Sequence, residues 1–142
     1  MIRIMQDKDV KEVALLEKEC FSMPWTEASI KKEIENKDSL FCVCEIDERI
    51  VGYAGMYYVY PEGDITNVAV TNEYRGRGIA RKILTFMFEE AVKDGVIEYT
   101  LEVRVGNKKA IHLYETLGFL NAGVRKNFYD NPKEDAIIMW KK

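Results

Sequence analysis

The alternation of apolar and polar positions along the chain switches between a period typical of strands and a period typical of helices. Strand-like alternation, or runs rich in β-branched and aromatic residues, predicts seven strands, at 2–5, as a hairpin pair within 40–60, and at 64–70, 98–105, 119–124 and 135–140. Helical spacing predicts four helices, from a cap at Asp7 to Cys20, from a cap at Thr26 through Ile34, from Ile79 through Ala91, and from a cap at Asn107 through Leu117.

Polar and glycine-rich breaks separate these segments. Asp47-Glu48-Arg49 and Pro61-Glu62-Gly63 predict the turns of two successive hairpins, whereas Gly95 and Gly118 predict the ends of the third and fourth helices. The strand–helix–strand order over 64–105 predicts a parallel crossover in the middle of the sheet. The expected fold class is therefore α/β (α+β), with a mixed, mostly antiparallel sheet of about seven strands, a central βαβ crossover and helices on both faces.

Length and composition fit one globular unit. The 142 residues are 47% hydrophobic and 32% charged, so we expect residues 1–142 to form a single domain. The net charge of -3, from 21 Lys and Arg against 24 Asp and Glu, supplies no global positive field, and neither nucleic acid nor a membrane is expected as a partner. Apolar runs are no longer than strands, which predicts no spanning helix, no signal peptide and a cytoplasmic location.

The few cysteines and the single histidine disfavour cross-links and metal centres. Three cysteines are an odd number, and Cys42 and Cys44 lie two apart in a predicted strand, where they share one face as small apolar residues. His112 is the only histidine, so zinc-ligand spacing is absent. We expect neither a disulfide framework nor a metal site.

The segment Arg75-Gly76-Arg77-Gly78-Ile79-Ala80, between the fourth strand and the longest helix, carries the clearest chemical signal. Glycines let the backbone approach a ligand closely, and the free N–H groups of a helix start favour an anion. Arg81 and Lys82 add positive charge, which favours a multiply charged phosphate ligand. The Lys and hydroxyl of a P-loop and the third glycine of a dinucleotide fingerprint are missing, which disfavours NTP hydrolysis and nicotinamide chemistry.

With Arg75, Gly78 and Ala80, this segment resembles the pyrophosphate loop of the GCN5-related N-acetyltransferase (GNAT) family, which reads Arg or Gln-x-x-Gly-x-Gly or Ala. Further segments, at 20–26, 101–107, 110–119 and 135–139, resemble the RimI type of that family, so that the resemblance covers nearly the whole chain. The resemblance implies acetyl-CoA as the cofactor. It also implies direct acetyl transfer, in a ternary complex, to a protein N-terminal α-amine, that of the N-terminal alanine of a small-subunit ribosomal protein.

The same resemblance implies roles for particular residues. Glu102 matches the general base, acting directly or through water, and Tyr114 matches the general acid. The acceptor peptide is expected against Pro24, Trp25 and Tyr129. Residues implied to bind the cofactor, several of them through the main chain, are Val68, Ala69, Val70, Arg75, Gly76, Arg77, Gly78, Ile79, Ala80, Asn107 and Tyr114.

Proton affinities favour an α-amine over a lysine as the acceptor. An α-amine has a reference pKa of about 7.7–8.0 and a lysine one of about 10.4, so neutral α-amine is about 3–4 kcal/mol easier to reach. One carboxylate base then suffices, and a tyrosine with a pKa of about 10 can donate a proton to a departing thiolate.

Other interpretations stay open at this stage. Glu102 could be a solvated strand residue paired with Arg104 or a neighbour, and Tyr114 could belong to the core. Gly106 and Phe128 depart from the related enzymes, where a small polar residue and an aromatic hydroxyl are common, and we expect altered acceptor contacts there. Alternative functions are acetylation of a small amine such as a polyamine or antibiotic, and non-catalytic binding of acyl-CoA.

Overall fold

A seven-stranded sheet runs through the computed structural model, which describes residues 1–142. Its strands are β1 (Ile2–Ile4), β2 (Ser39–Ile46), β3 (Arg49–Val59), β4 (Glu62–Val70), β5 (Glu98–Arg104), β6 (Leu120–Tyr129) and β7 (Glu134–Lys141). The helices are α1 (Val10–Cys20), α2 (Glu27–Ile34), α3 (Ile79–Lys93) and α4 (Lys108–Thr116). In the order β1-β2-β3-β4-β5-β7-β6, only β4 and β5 are parallel. The predicted mixed, mostly antiparallel sheet with a central crossover is confirmed.

Two apolar clusters show that helices cover both faces of the sheet. On one face, α1 and α2 bury Val13, Leu16 and Ile30 against Phe41 and Tyr53 of β2 and β3. On the other face lies the larger cluster, in which the apolar stripe of α3 packs with Tyr114 of α4, Phe119 and the opposite side chains of the same strands. Side chains alternate between the faces of a strand, so β2 and β3 contribute to both clusters.

A bulge in β4 separates the two central strands. Asn67 pairs with Gly55 and Ile65 with Met56, so Thr66 is an extra residue of β4 with no opposite partner on β3. Pairing between β4 and β5 covers only 62–65 against 98–101. A bulge bends its strand and increases the local twist, so β4 and β5 diverge beyond this point and leave a gap in the middle of the sheet.

The start of the first helix differs from the prediction. Asp7 is not an N-cap; it begins a one-turn 3₁₀ helix, Asp7–Asp9, whose N-cap is Gln6. The buried Asp9 carboxylate accepts hydrogen bonds from the Gln6 N–H at 2.8 Å and from Arg3 at 2.7 and 2.9 Å. The Arg3 guanidinium and the Gln6 N–H lower the pKa of Asp9 against the opposing effect of burial. A buried charge pair therefore sets the entry into α1.

Two strand boundaries also differ. The second hairpin turn consists of Tyr60 and Pro61, and β4 already begins at Glu62. The sixth strand continues five residues beyond the predicted Val124, to Tyr129, with irregular register between Arg125 and Tyr129. Along this irregular stretch the Asn127 N–H donates to the Asp135 carboxylate at 2.8 Å, a side-chain bond in place of a ladder bond.

Three further features concern membrane-spanning helices, cysteines and metal-ligating side chains. None of the four helices combines the length and the apolar character needed to cross a membrane. All three cysteines are free, and Cys42 and Cys44 are buried in the core. No group of three or more His, Cys, Asp or Glu side chains is placed to hold a metal ion.

Candidate active site

The gap between β4 and β5 exposes main-chain hydrogen-bonding groups. The Thr71 N–H donates to the Val51 carbonyl of β3 at 2.8 Å, and in an antiparallel ladder every second residue bonds to the same neighbour. Ala69 therefore bonds to Tyr53 of β3, whereas the groups of Val68 and Val70 point toward β5, which is no longer paired there. Of the three strand residues expected to hold a ligand through the main chain, Val68 offers groups that are not paired with a strand, whereas Val70 offers only its N–H, because its carbonyl accepts the Arg75 Nε.

A cavity of about 570 Å³ extends from this gap to the start of α3, and we call it the helix-end cavity. Most of the predicted cofactor-binding residues line it: Val68, Ala69, Val70, Arg75, Gly76, Gly78, Ile79, Ala80, Asn107 and Tyr114. Arg77 does not; its guanidinium lies over the Tyr74 ring, 4.8 Å from the ring centre. Arg81 and Lys109 join the lining and make this end of the cavity positive.

The start of α3 presents a row of unpaired donors. The first helical hydrogen bond runs from the Lys82 N–H to the Gly78 carbonyl at 3.1 Å, and the N–H groups of residues 76–81 have no backbone acceptor. Gly76 and Gly78 adopt positive φ angles of 77° and 76°, a conformation that glycine reaches without strain. The N-cap, Gly78, offers no side-chain cap, and the first turn carries no acidic residue. This helix end is thus suited to an anion from outside the chain.

The last turn of α1 fixes the approach to this helix. The Glu19 carboxylate accepts hydrogen bonds from the Asn72 N–H at 2.7 Å and from the Thr71 hydroxyl at 2.9 Å. Both donors lower the pKa of Glu19, and the Asn72 N–H has a larger effect than the Thr71 hydroxyl. The Arg75 Nε donates to the Val70 carbonyl at 3.0 Å. Arg75 therefore ties the loop back to β4, and Glu19 ties it to α1.

A second cavity, of about 670 Å³, lies on the other side of Tyr114, and we call it the loop cavity. Its walls are the loop after α1, the bulged part of β4, the end of β5 and the turn between β6 and β7. The two cavities share five lining residues, namely Cys20, Phe21, Val68, Asn107 and Tyr114. A long ligand in the helix-end cavity can therefore reach a second ligand in the loop cavity at this junction.

Glu102 projects into the loop cavity from β5 beside the basic side chain of Arg125. The Arg125 Nε lies 3.1 Å from the Glu102 Oε2 in an ion pair, yet no N–H is aligned with this buried oxygen, which accepts no hydrogen bond. Burial raises the pKa of Glu102, Arg125 lowers it and the nearby Asp64 carboxylate raises it, with a net shift upward. Of the alternative pairings, the one with Arg104 is not observed, because Arg104 pairs with Glu134 at 3.2 Å, and the ion pair of Glu102 is with Arg125 on β6.

Two tyrosines stand near this carboxylate. Tyr114 is buried at the junction of the cavities and packs edge-on against Phe119, and burial raises the pKa of its phenol to about 12. Tyr129 lines the loop cavity with its ring under the Arg104 guanidinium, 4.4 Å from the ring centre. Burial, and then the negative charge of Glu102, raise the pKa of Tyr129. Both phenols thus stay protonated at neutral pH.

The loop after α1 forms the outer wall of the loop cavity. Trp25 lines the cavity and packs against Phe41, with ring centres 6.2 Å apart, whereas Pro24 lies outside the lining. The backbone N–H of Trp25 donates to the buried Glu17 carboxylate at 2.8 Å. The predicted acceptor residues Trp25 and Tyr129 therefore face one space together with Glu102, and Pro24 does not contribute to it.

Comparison with known proteins decides the family. The family model described as Acetyltransferase (GNAT) family matches residues 10–119 of this chain. The chain belongs to the acetyltransferase (GNAT) family. The expected family, the expected fold and the expectation that the chain is an N-acetyltransferase are confirmed.

Relatives within this family match almost end to end. A protein from Bacillus subtilis (strain 168) is 36% identical over 140 residues, which cover 98% of this chain and 93% of the relative. The [ribosomal protein bS18]-alanine N-acetyltransferase of Salmonella typhimurium is 33% identical, covering 97% of this chain and 94% of the relative. The crystal structure of the ribosomal-protein-S18-alanine N-acetyltransferase from Escherichia coli superposes with a TM-score of 0.90 at 31% identity, covering 99% of this chain and 92% of that one.

The GNAT loop motif left several residues of the site unpredicted. Glu17 and Asn67 line the loop cavity, and Arg125 and Asp64 set the charge around Glu102. Asn67 had a signal in the sequence, since this amide directly precedes the apolar run Val68-Ala69-Val70. Glu17 also had one, since this charged residue stands on the apolar face of α1, four residues after Val13, but its side-chain partners lie 36 and 50 residues away along the chain.

Gly106, which departs from related enzymes, has a structural reason here. Its N–H donates to the Glu134 Oε2 at 2.7 Å, and a Cβ at this position would lie 2.7 Å from the same oxygen. Phe128, the second departure, lines the loop cavity beside Tyr129. The aromatic hydroxyl at this end of the cavity therefore comes from Tyr129 and not from residue 128.

Proposed function

We propose that this GNAT enzyme transfers the acetyl group of acetyl-CoA to the N-terminal α-amine of a protein, that of the alanine that begins ribosomal protein bS18. The observation that carries the proposal is the junction of the two cavities at Val68, Asn107 and Tyr114, with an anion-binding helix end on one side and Glu102 on the other. A bS18 acceptor would place the reaction in the cytoplasm.

The residues of the helix-end cavity fit coenzyme A. Its diphosphate would accept hydrogen bonds from the N–H groups of residues 76–81, beside Arg81 and Lys109. Its amide-containing arm would run along the main-chain groups of Val68 and the N–H of Val70, with Asn107 near the thioester end. When bound, the cofactor supplies an activated acetyl group, which needs no metal and no covalent enzyme intermediate.

The residues of the loop cavity fit an amine acceptor and the proton transfers that it requires. The Glu102 carboxylate would receive the proton that the α-ammonium gives up, directly or through water. Its raised pKa makes it a better base than an ordinary glutamate. The Tyr114 phenol, protonated because of burial, would hand a proton to the departing sulfur. Trp25, Tyr129 and the open end of the cavity would receive the first residues of the acceptor chain.

The relatives support the choice of acceptor. The Salmonella typhimurium and Escherichia coli proteins, 33% and 31% identical over nearly the full chain, are named for acetylation of the alanine of bS18. The low barrier to forming a neutral α-amine, compared with lysine, agrees with a site that has one carboxylate base.

Mass spectrometry of a peptide panel tests this function. The protein is incubated with acetyl-CoA and a peptide that has the N-terminal sequence of bS18, includes an internal lysine and has either a free or a blocked N-terminus. We expect one acetyl group on the first residue of the free peptide and none on the blocked one. Acetylation of spermidine in preference to the peptide would replace the proposal with the small-amine alternative, and acetylation of the lysine alone would contradict an α-amine acceptor. Binding of acetyl-CoA without any acetylation would point to the non-catalytic alternative.

A further inference from the structure

A fully buried carboxylate lies beneath the loop cavity. Glu17 of α1 is 1% exposed, and all hydrogen-bonding partners of its carboxylate lie outside α1. Its Oε1 accepts a hydrogen bond from the backbone N–H of Trp25 at 2.8 Å. Its Oε2 accepts hydrogen bonds from the Tyr53 hydroxyl and from the Asn67 Nδ2, the latter at 3.0 Å. An apolar side chain would pack here without the cost of desolvating a charge. The network therefore calls for a role beyond packing.

Asn67 connects the hydrogen-bond network of Glu17 to the gap between β4 and β5. Asn67 is 7% exposed, follows the bulge residue Thr66 and lines the loop cavity on the β4 wall, across from Glu102 on β5. Its main chain bonds to Gly55 of β3, so only its side chain is available to a ligand. The position is set by the bulge, and the orientation of the amide is set by Glu17.

The orientation leaves one acceptor atom free. A carboxylate only accepts hydrogen bonds, so the Asn67 Nδ2 must face Glu17 and the Oδ1 must point away from it. That oxygen is buried and has no donor within the chain. Only one other buried side-chain oxygen or nitrogen lacks a hydrogen bond, the Glu102 Oε2, and it belongs to the facing wall of the same cavity. The Asn67 Oδ1, with no donor, and the Glu102 Oε2, with only the misaligned Arg125 Nε beside it at 3.1 Å, fit a ligand that brings two N–H donors.

We propose that the Asn67 Oδ1 accepts a hydrogen bond from the first peptide N–H of the acceptor chain, and that Glu17 is the positioning residue that orients Asn67. This inference rests on the proposed function, in which Glu102 takes the α-ammonium. A peptide N-terminus presents its ammonium and its first amide N–H one residue apart, and a simple amine lacks the second donor. Asn67 therefore distinguishes peptides from small amines.

A pair of acceptor peptides that differ in one group tests the proposal. The first linkage of the peptide is either the natural amide or an ester, which has no N–H. For the unaltered enzyme we expect kcat/KM to be about tenfold lower with the ester. In Asn67→Ala the acceptor oxygen is gone. The amide-to-ester ratio of kcat/KM should therefore fall to the value that the two linkages have without this contact. The ester also changes the pKa of the amine, so the ratio of the two rates is compared between variants, where that effect cancels.

Two further variants separate orientation from stability. In Glu17→Gln the new amide N–H faces Asn67, whose amide must then turn to present its oxygen to residue 17, and the amide-to-ester preference should be lost in a folded protein. Tyr53→Phe removes a different donor to the same carboxylate; it should lower the melting temperature and leave the preference unchanged. If Asn67→Ala fails to fold, Glu17→Gln decides the question.

The outcomes for this inference and for the proposed function are distinguishable. An amide-to-ester ratio that is the same in the unaltered enzyme as in Asn67→Ala or Glu17→Gln overturns the role of Asn67 while peptide acetylation stands. Failure to acetylate either peptide contradicts the proposed function and this inference with it.

Discussion

The Arg125 guanidinium lies beside the Glu102 carboxylate, with its Nε 3.1 Å from Oε2, but forms no aligned hydrogen bond with it. The two side chains differ in their surroundings, since Arg125 is 58% exposed on β6 and Glu102 is 25% exposed inside the loop cavity. An exposed, loosely aligned partner can move aside at little cost when an ammonium group enters. Arg125 thus lowers the pKa of Glu102 without blocking its carboxylate.

Charges around Glu102 predict opposite pH shifts in two variants. Arg125→Gln removes the cation that lowers the pKa of Glu102, so this pKa should rise and the acid limb of kcat/KM should move to higher pH. Asp64→Asn removes the anion that raises it, so the acid limb should move to lower pH. Activity rises with pH through this limb because the base acts when deprotonated. Rate profiles for an N-terminal peptide from about pH 4 to 9 measure both shifts; shifts in the same direction in both variants would rule out this electrostatic account.

Replacing the carboxylate itself tests the base. Glu102→Gln keeps the shape of the side chain and removes its ability to take a proton, so kcat should fall about 10²- to 10⁴-fold. Acetyl-CoA affinity, measured by calorimetry, should stay unchanged because the helix-end cavity is not altered. Glu98→Gln, four residues earlier on the same strand, removes only an ion pair with Lys142 at 3.8 Å and is the matched control. Full activity in Glu102→Gln would remove this residue from the mechanism.

Local sequence signals were sufficient for most of the fold. The stripe from Ile79 to Ala91 predicts a helix, and α3 runs from Ile79 to Lys93, because an uninterrupted apolar face and Gly95 define it locally. The glycines of the predicted phosphate loop have positive φ angles, as their position before a helix suggests. Features with a local cause were therefore predicted well.

Features that depend on distant partners were not predicted. The alternation from Ile65 to Val70 gives no sign that Thr66 is a bulge, which exists only in register with β3 and opens the gap beside β5. Glu17 stands on the apolar face of α1, but nothing in the local sequence identifies Tyr53 and Asn67 as the partners of its buried carboxylate. The site was thus predicted where a motif carries it and missed where tertiary contacts build it.

The phenol at the junction of the cavities can be tested by removing one oxygen. Tyr114→Phe keeps the ring against Phe119 and removes the proton donor, so kcat should fall on the order of 10²-fold with little change in melting temperature. Tyr99→Phe is the matched control, since the Tyr99 hydroxyl donates to the Val96 carbonyl at 3.2 Å in the core. It should cost about 1 kcal/mol of unfolding free energy and leave kcat unchanged. An unchanged kcat in Tyr114→Phe would assign proton donation to another group.

Two glycines with the same backbone conformation separate ligand binding from chain strain. Gly78 and Gly95 have φ angles of 76° and 89°, and at both a Cβ would meet nothing within 4 Å. Gly78→Ala and Gly95→Ala should therefore destabilise the protein similarly, by about 1–2 kcal/mol, since alanine is strained in this conformation.

The effect on coenzyme A binding should differ between these two glycines. Strain at Gly78 turns the N–H groups at the start of α3, whereas Gly95 follows the far end of that helix, outside both cavities. Calorimetry with CoA should give about tenfold weaker binding for Gly78→Ala and unchanged binding for Gly95→Ala. Equal affinity in the two variants would mean that the donors at this helix end do not hold the diphosphate, and the assignment of the helix-end cavity would fail.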